Sequence, residues 1–63
     1  MSFKVGDYVC VTSHEYDLTE QAGVVTITNL FGDKIGIGVK INSTQQHYAF
    51  FGEDTKCVTR LTS

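Results

Sequence analysis

Hydrophobic and polar positions alternate most cleanly over Ile35-Gly36-Ile37-Gly38-Val39-Lys40-Ile41. Side chains on an extended strand point to opposite faces in turn. Ile35, Ile37, Val39 and Ile41 therefore share one face, and Gly36, Gly38 and Lys40 share the other. That pattern predicts a strand with one face in a core. Glycine weakens a strand interior, so its double use on one face points to close approach by another backbone, a sharp bend or a partner.

Four further strands can be drawn. Tyr-Val-Cys-Val-Thr at 8–12 follows the turn pair Gly6-Asp7, with Val9 and Val11 inward and Tyr8 and Cys10 outward. Residues 13–21 are charged and lack a clean period, which predicts a long polar loop with room for one helical turn at 17–21. Val24-Val25-Thr26-Ile27-Thr28 is a run of stiff side chains that favour a second strand. A connection at 29–34 leads into the alternating run, and a polar turn at 42–46 follows it. His47-Tyr48-Ala49-Phe50-Phe51 is a fourth strand, Gly52-Glu53-Asp54 breaks it with a short helical turn, and 56–61 is the last strand. The expectation is an all-β single domain of five short strands, with a long first loop and a short helical turn before the last strand. A chain of 63 residues buries only about 60% of its unfolded surface. Its exposed strand edges would invite aggregation, and a nearly closed barrel is the common remedy at this size.

Composition narrows the function classes. Five basic residues face seven acidic ones, a net charge of -2, which argues against strong non-specific binding to nucleic acid. No run approaches the roughly 20 apolar residues of a membrane helix, and the start has no apolar signal segment, so a cytoplasmic protein without membrane contact is expected. Asn42-Ser43-Thr44 matches a glycosylation sequon and is read as a chance match in a polar loop. Cys10, His14, His47 and Cys57 supply one close ligand pair, Cys10-x-x-x-His14, and no second, so no metal is expected. Cys10 and Cys57 approach one another if the first and last strands are neighbours. A disulfide would then need them directly opposed, and a cytoplasmic chain would keep both reduced. No spacing of Ser, Cys, His and Asp suggests a nucleophile, base and orienting group, and the strand glycines do not precede a helix. Neither catalysis nor a cofactor is expected.

Aromatic residues are in surplus. Tyr8, Tyr16, Phe31, Tyr48, Phe50 and Phe51 are too many for one face of so small a core, and Phe50 and Phe51 point to opposite sides of a regular strand. An exposed aromatic beside the bare glycine face would make a contact patch. The expected partner-binding residues are Tyr16, Phe31, Gly36, Gly38, Tyr48 and Phe51, and the expected occupant is a protein partner or a second copy.

Phe3-Lys4-Val5-Gly6-Asp7-Tyr8-Val9-Cys10-Val11, followed after a loop by Gly23-Val24-Val25-Thr26-Ile27, resembles the SH3-like small barrels over nearly the whole chain. The resemblance implies a five-stranded SH3-like barrel, and a fold does not fix a function. The peptide-binding signalling branch lines its groove with tryptophan, which this chain lacks. Gly6-Asp7-x-Val9-x-Val11 and Gly23-x-Val25 look like the KOW-type modules, which bind RNA, DNA or polymerase surfaces. On that alternative Lys40, Lys56 and Arg60 would carry nucleic-acid contact. Other SH3-like proteins are accessory subunits, such as a small photosystem subunit. Gln46-His47-Tyr48 is similar to the Gln-x-Tyr motif of the plasmid-type trimethoprim-resistant dihydrofolate reductases, which are oligomeric enzymes. The basic pair of that family is replaced here by Val11-Thr12-Ser13-His14. The leading expectation is a non-enzymatic module for protein contact or self-association. The KOW-like module is the alternative, and the reductase is the remote one.

Overall fold

The period-two pattern becomes an antiparallel sheet in the computed structural model, which describes residues 3–32 and 36–61. Its strands are β1 (Tyr8–Ser13), β2 (Leu18–Thr28), β3 (Ile37–Ile41), β4 (His47–Phe50) and β5 (Val58–Arg60). Short 3-10 turns occupy Leu30–Gly32 and Gly52–Cys57. The strand order is β4-β3-β2-β1-β5, with every neighbouring pair antiparallel. The all-β expectation holds, and the short helical turn precedes the last strand as expected. Among the described residues no ladder joins β4 to β5, so the sheet is open and the closed barrel is not formed by backbone pairing.

Alternation sets the core. Val9 and Val11 of β1, Leu18 and Val25 of β2, Ile37, Val39 and Ile41 of β3, Phe50 of β4 and Val58 of β5 are all buried in one cluster. Directly opposed residues share a face, and the register pairs Val11 with Val58, Val25 with Val39, and Ile37 with Phe50. Phe3, Tyr16, Tyr48 and Cys57 pack against this cluster from its rim.

A register shift between Val25 and Ile27 changes what β2 presents. Val25 opposes Val39 while Ile27 opposes Gly38, so β2 carries one extra residue there. Such a bulge re-aims the side chains beyond it. Val25 stays in the core, and Ile27, two residues on, is 46% exposed on the opposite face.

The long first loop is corrected. Residues 13–21 are instead the tip of a β1–β2 hairpin, turning at residues 14–17. Leu18 is the apolar anchor that draws this segment into the sheet, where it pairs with Ser13. The Tyr16 amide donates to Ser13 Oγ at 3.3 Å, and the Glu20 amide donates to Thr12 Oγ1 at 3.0 Å. Asp17 and Glu20 take positive φ values of 57° and 46°, and residues 18–21 are strand rather than the helical turn for which the predicted loop has room. The last strand is also shorter than expected, because Lys56 and Cys57 belong to the helical turn. Ile35 and Lys34 lie outside the described residues. First and last strands are neighbours, yet Cys10 opposes Thr59 rather than Cys57, and both thiols are free.

Candidate binding groove

The outer face of β2, β3 and β4 holds a shallow groove. Thr26, Ile27, Leu30, Gly38, His47, Tyr48 and Ala49 line it, around a volume of about 440 Å³. Cross-strand pairing builds its floor, since Gly38 opposes both Ile27 and Ala49. Thr26 Oγ1 donates to the Gly38 carbonyl at 3.4 Å and ties the bulge to β3.

The glycine face is not bare. A Cβ on Gly38 would stand 2.9 Å from Ile27 Cγ2, and one on Gly36 would stand 2.9 Å from Phe51 Cδ1 and 3.0 Å from the Leu30 carbonyl oxygen. Both glycines are buried. They serve as seats for Ile27 and Phe51, which is the close-approach use of a strand glycine. The naked patch expected from the sequence is therefore replaced by a groove with side chains pressed onto its glycines.

Tyr16 and Tyr48 do meet, from positions 32 residues apart. Their ring centroids are 4.9 Å apart, and Tyr16 sets its ring edge-on to Phe50 at 5.5 Å. Tyr16 Oη donates to the Ala49 carbonyl at 3.0 Å, and Tyr48 Oη donates to Gln46 Oε1 at 2.8 Å. The hairpin tip thus reaches across the open side of the sheet to β4. Burial raises the Tyr16 hydroxyl above its ordinary value, and the carboxylates of Glu15 and Asp54 raise it further. Of the six residues expected at a partner site, Gly38 and Tyr48 line the groove, Tyr16 backs Tyr48, and Gly36 and Phe51 pair beside it. The side chain of Phe31 lies outside the described residues.

The three cations of the nucleic-acid alternative are scattered. Lys40 stands on the outer face between Val24 and His47. Lys56 pairs with Glu53 at 3.2 Å. Arg60 sits on β5, three strands from β3, with Nε 3.3 Å from Asp7 Oδ2 and its guanidinium over the Phe3 ring at 5.7 Å.

Sequence reading missed Thr26, Ile27, Leu30, His47 and Ala49 as groove residues. The strand parity of His47 and Ala49 puts them on one face, but only the β3–β4 register shows that this face is the one bearing Gly38. Among the described residues no three His, Cys, Asp or Glu side chains come together to hold a metal, and no helix is long and apolar enough to cross a membrane. The groove brings apolar surface, one imidazole and two hydroxyls to a single spot. That chemistry suits an apolar group with a polar margin. The chain matches no family model, no curated protein and no solved structure.

Proposed function

We propose that this chain is a small non-enzymatic binding module that takes an apolar side chain of a protein partner into the groove over Gly38. The carrying observation is that groove itself, a floor of Gly38 and Ala49 flanked by the apolar side chains of Ile27 and Leu30. The sheet is read as an SH3-like barrel left open between β4 and β5, with Tyr16 of the β1–β2 hairpin packed onto β4. Its strand order and the helical turn before β5 support that reading. The nucleic-acid alternative has less support, because Lys56 and Arg60 are engaged with carboxylates and stand apart from Lys40.

Filling the groove tests the proposal. Ala49→Arg places a long side chain across the floor of an edge strand without touching the core. Quantitative pull-down should show the partner retained by the wild type and lost at least about tenfold with the variant, equivalent to 1.4 kcal/mol. Circular dichroism should show the same melt for both. Undiminished retention by a folded variant removes the groove as the binding site. Binding that falls steeply with salt and with Lys40→Ala, and ignores Ala49→Arg, would favour the nucleic-acid alternative.

A further inference from the structure

The outer face of the sheet carries large exposed apolar groups among its polar ones, Lys40, His47 and Thr59. An antiparallel sheet with one covered face ordinarily alternates apolar inward and polar outward. Here the register runs Tyr8, Val24, Lys40 and His47 in one row across β1 to β4. Leu61 joins the end of that row, its amide donating to the Tyr8 carbonyl at 2.8 Å. On one side of the row lie Ile27, Gly38 and Ala49, and on the other Cys10, Ala22 and Thr59. Tyr8 is 58% exposed and Leu61 57%, and with Val5 and Ile27 they are the exposed large hydrophobics of the described residues. Val5 belongs to the turn that leads into β1, where the Gly6 amide bonds to the Val25 carbonyl. All four therefore cluster around the start of β1 and the bulge of β2. A second layer would cover these four exposed apolar groups.

We infer that the second layer is a second copy of this chain, packed face to face about a two-fold axis that runs along β2. This rests on the groove reading and names the groove's occupant. Charge selects the copy and the axis. Lys40 is the one cation of the row, and it forms no ion pair among the described residues. An axis across the strands would set the two Lys40 ammonium groups against each other, which like charges forbid. An axis along β2 sets Lys40 of each copy over Tyr8 of the other, a cation on the negative face of a ring. The same operation stacks Val24 on Val24 and Ile27 on Ile27, as a self-complementary interface requires. It also turns the apolar side chains flanking Tyr8, namely Val5 and Leu61, toward the groove side of the facing sheet. The face thus meets itself through two equivalent Lys40–Tyr8 contacts.

The test uses the full chain and light scattering coupled to gel filtration. The wild type should run as a dimer, and Ile27→Asp should run as a monomer. Tyr8→Lys alone should also be monomeric, because it meets Lys40 of the other copy with a second ammonium. Lys40→Tyr alone should dimerise about tenfold more weakly, since each of its two contacts loses its cation. An equimolar mixture of Tyr8→Lys and Lys40→Tyr should form a mixed dimer, because both cation–ring contacts are then restored with the roles exchanged. Both substituted positions face solvent or the sheet surface, and circular dichroism checks each variant's fold. A wild type that stays monomeric up to about 1 mM overturns the inference. So does a dimer indifferent to Ile27→Asp, or a mixture that pairs no better than its components. If the wild type is monomeric while Ala49→Arg still abolishes partner capture, another protein covers this face and only the second copy is lost. If the mixed dimer forms while capture ignores Ala49→Arg, the second copy stands and the groove reading falls.

Discussion

The inner and outer faces of this sheet share the same backbone ladders and differ in what their side chains are for. The inner face is filled by large β-branched and aromatic groups, among them Val9, Val11, Val39, Ile41 and Phe50, none more than 1% exposed. The outer face is mixed: Gly38, Ala22 and Ala49 lie low, while Tyr8 and Ile27 stand above them. A face meant only to be solvated would carry charge at those positions. Large groups that interlock make a core; small groups between larger ones make a surface that something else can enter. The difference teaches that the inner face determines whether the chain folds, and the outer face determines what it meets.

The largest effect should come from the inner face. Phe50 is 1% exposed and opposes Ile37 across β3 and β4. Phe50→Ala should cost about 3–5 kcal/mol, from lost burial and the cavity left behind. A domain this small has about 5 kcal/mol in all, so the variant should be largely unfolded by urea titration or thermal melt. The outer-face counterpart, Tyr8→Ala, compared at concentrations where both chains are monomeric, should stay within about 0.5 kcal/mol of the wild type. Comparable losses at the two positions would erase the distinction between the faces.

A smaller effect should appear where the outer face is most tightly made. Gly38→Val sets two tendencies against each other. Valine favours a strand by up to about 1 kcal/mol over poor strand formers. Its Cβ, however, would stand 2.9 Å from Ile27 Cγ2, so Ile27 must move. Overpacking of this kind costs about 1–3 kcal/mol, which outweighs the propensity gain. The variant should be destabilised in a denaturant titration, and Ile27→Ala in the same chain should recover most of the loss. A stabilised Gly38→Val would mean that Ile27 does not rest on the glycine, and that the groove floor is open.

Much of the inner face was legible in the sequence. Val9, Val11, Ile37, Val39 and Ile41 lie on the predicted face because alternation needs only local backbone geometry. The outer face was legible only where a residue was unusual for its place. Gly38 and Tyr48 drew attention as an oddity and as a surplus aromatic, and both line the groove. Ile27 did not, because its outward direction depends on a bulge formed against β3, and bulges leave no period in the chain. Leu18 was hidden inside a charged stretch, and its burial depends on pairing with Ser13 across a turn. The seating of Phe51 on Gly36 likewise needs contacts between elements that no local pattern encodes.

The finest test lies on the boundary between the faces, at Tyr16. Its ring rests on Tyr48 and Phe50 at the core's rim, and its hydroxyl reaches the Ala49 carbonyl on the edge strand that also bears the groove. Tyr16→Phe keeps the ring and removes the hydrogen bond, so at neutral pH it should cost about 1 kcal/mol. Alkali adds a sharper readout. Burial, then Glu15 and Asp54, hold the Tyr16 hydroxyl's ionisation above its ordinary 10.0. The folded chain therefore binds that proton more tightly than the unfolded chain does. Its contribution to stability is complete below the ordinary tyrosine range and is lost as pH rises through the raised value. Denaturant titrations across that range should show the wild type weakening more steeply than Tyr16→Phe, with the two curves converging at the alkaline end. Parallel curves would mean that Tyr16 keeps no neutral hydroxyl on β4. The open side of the inner face would then be held by ring packing alone.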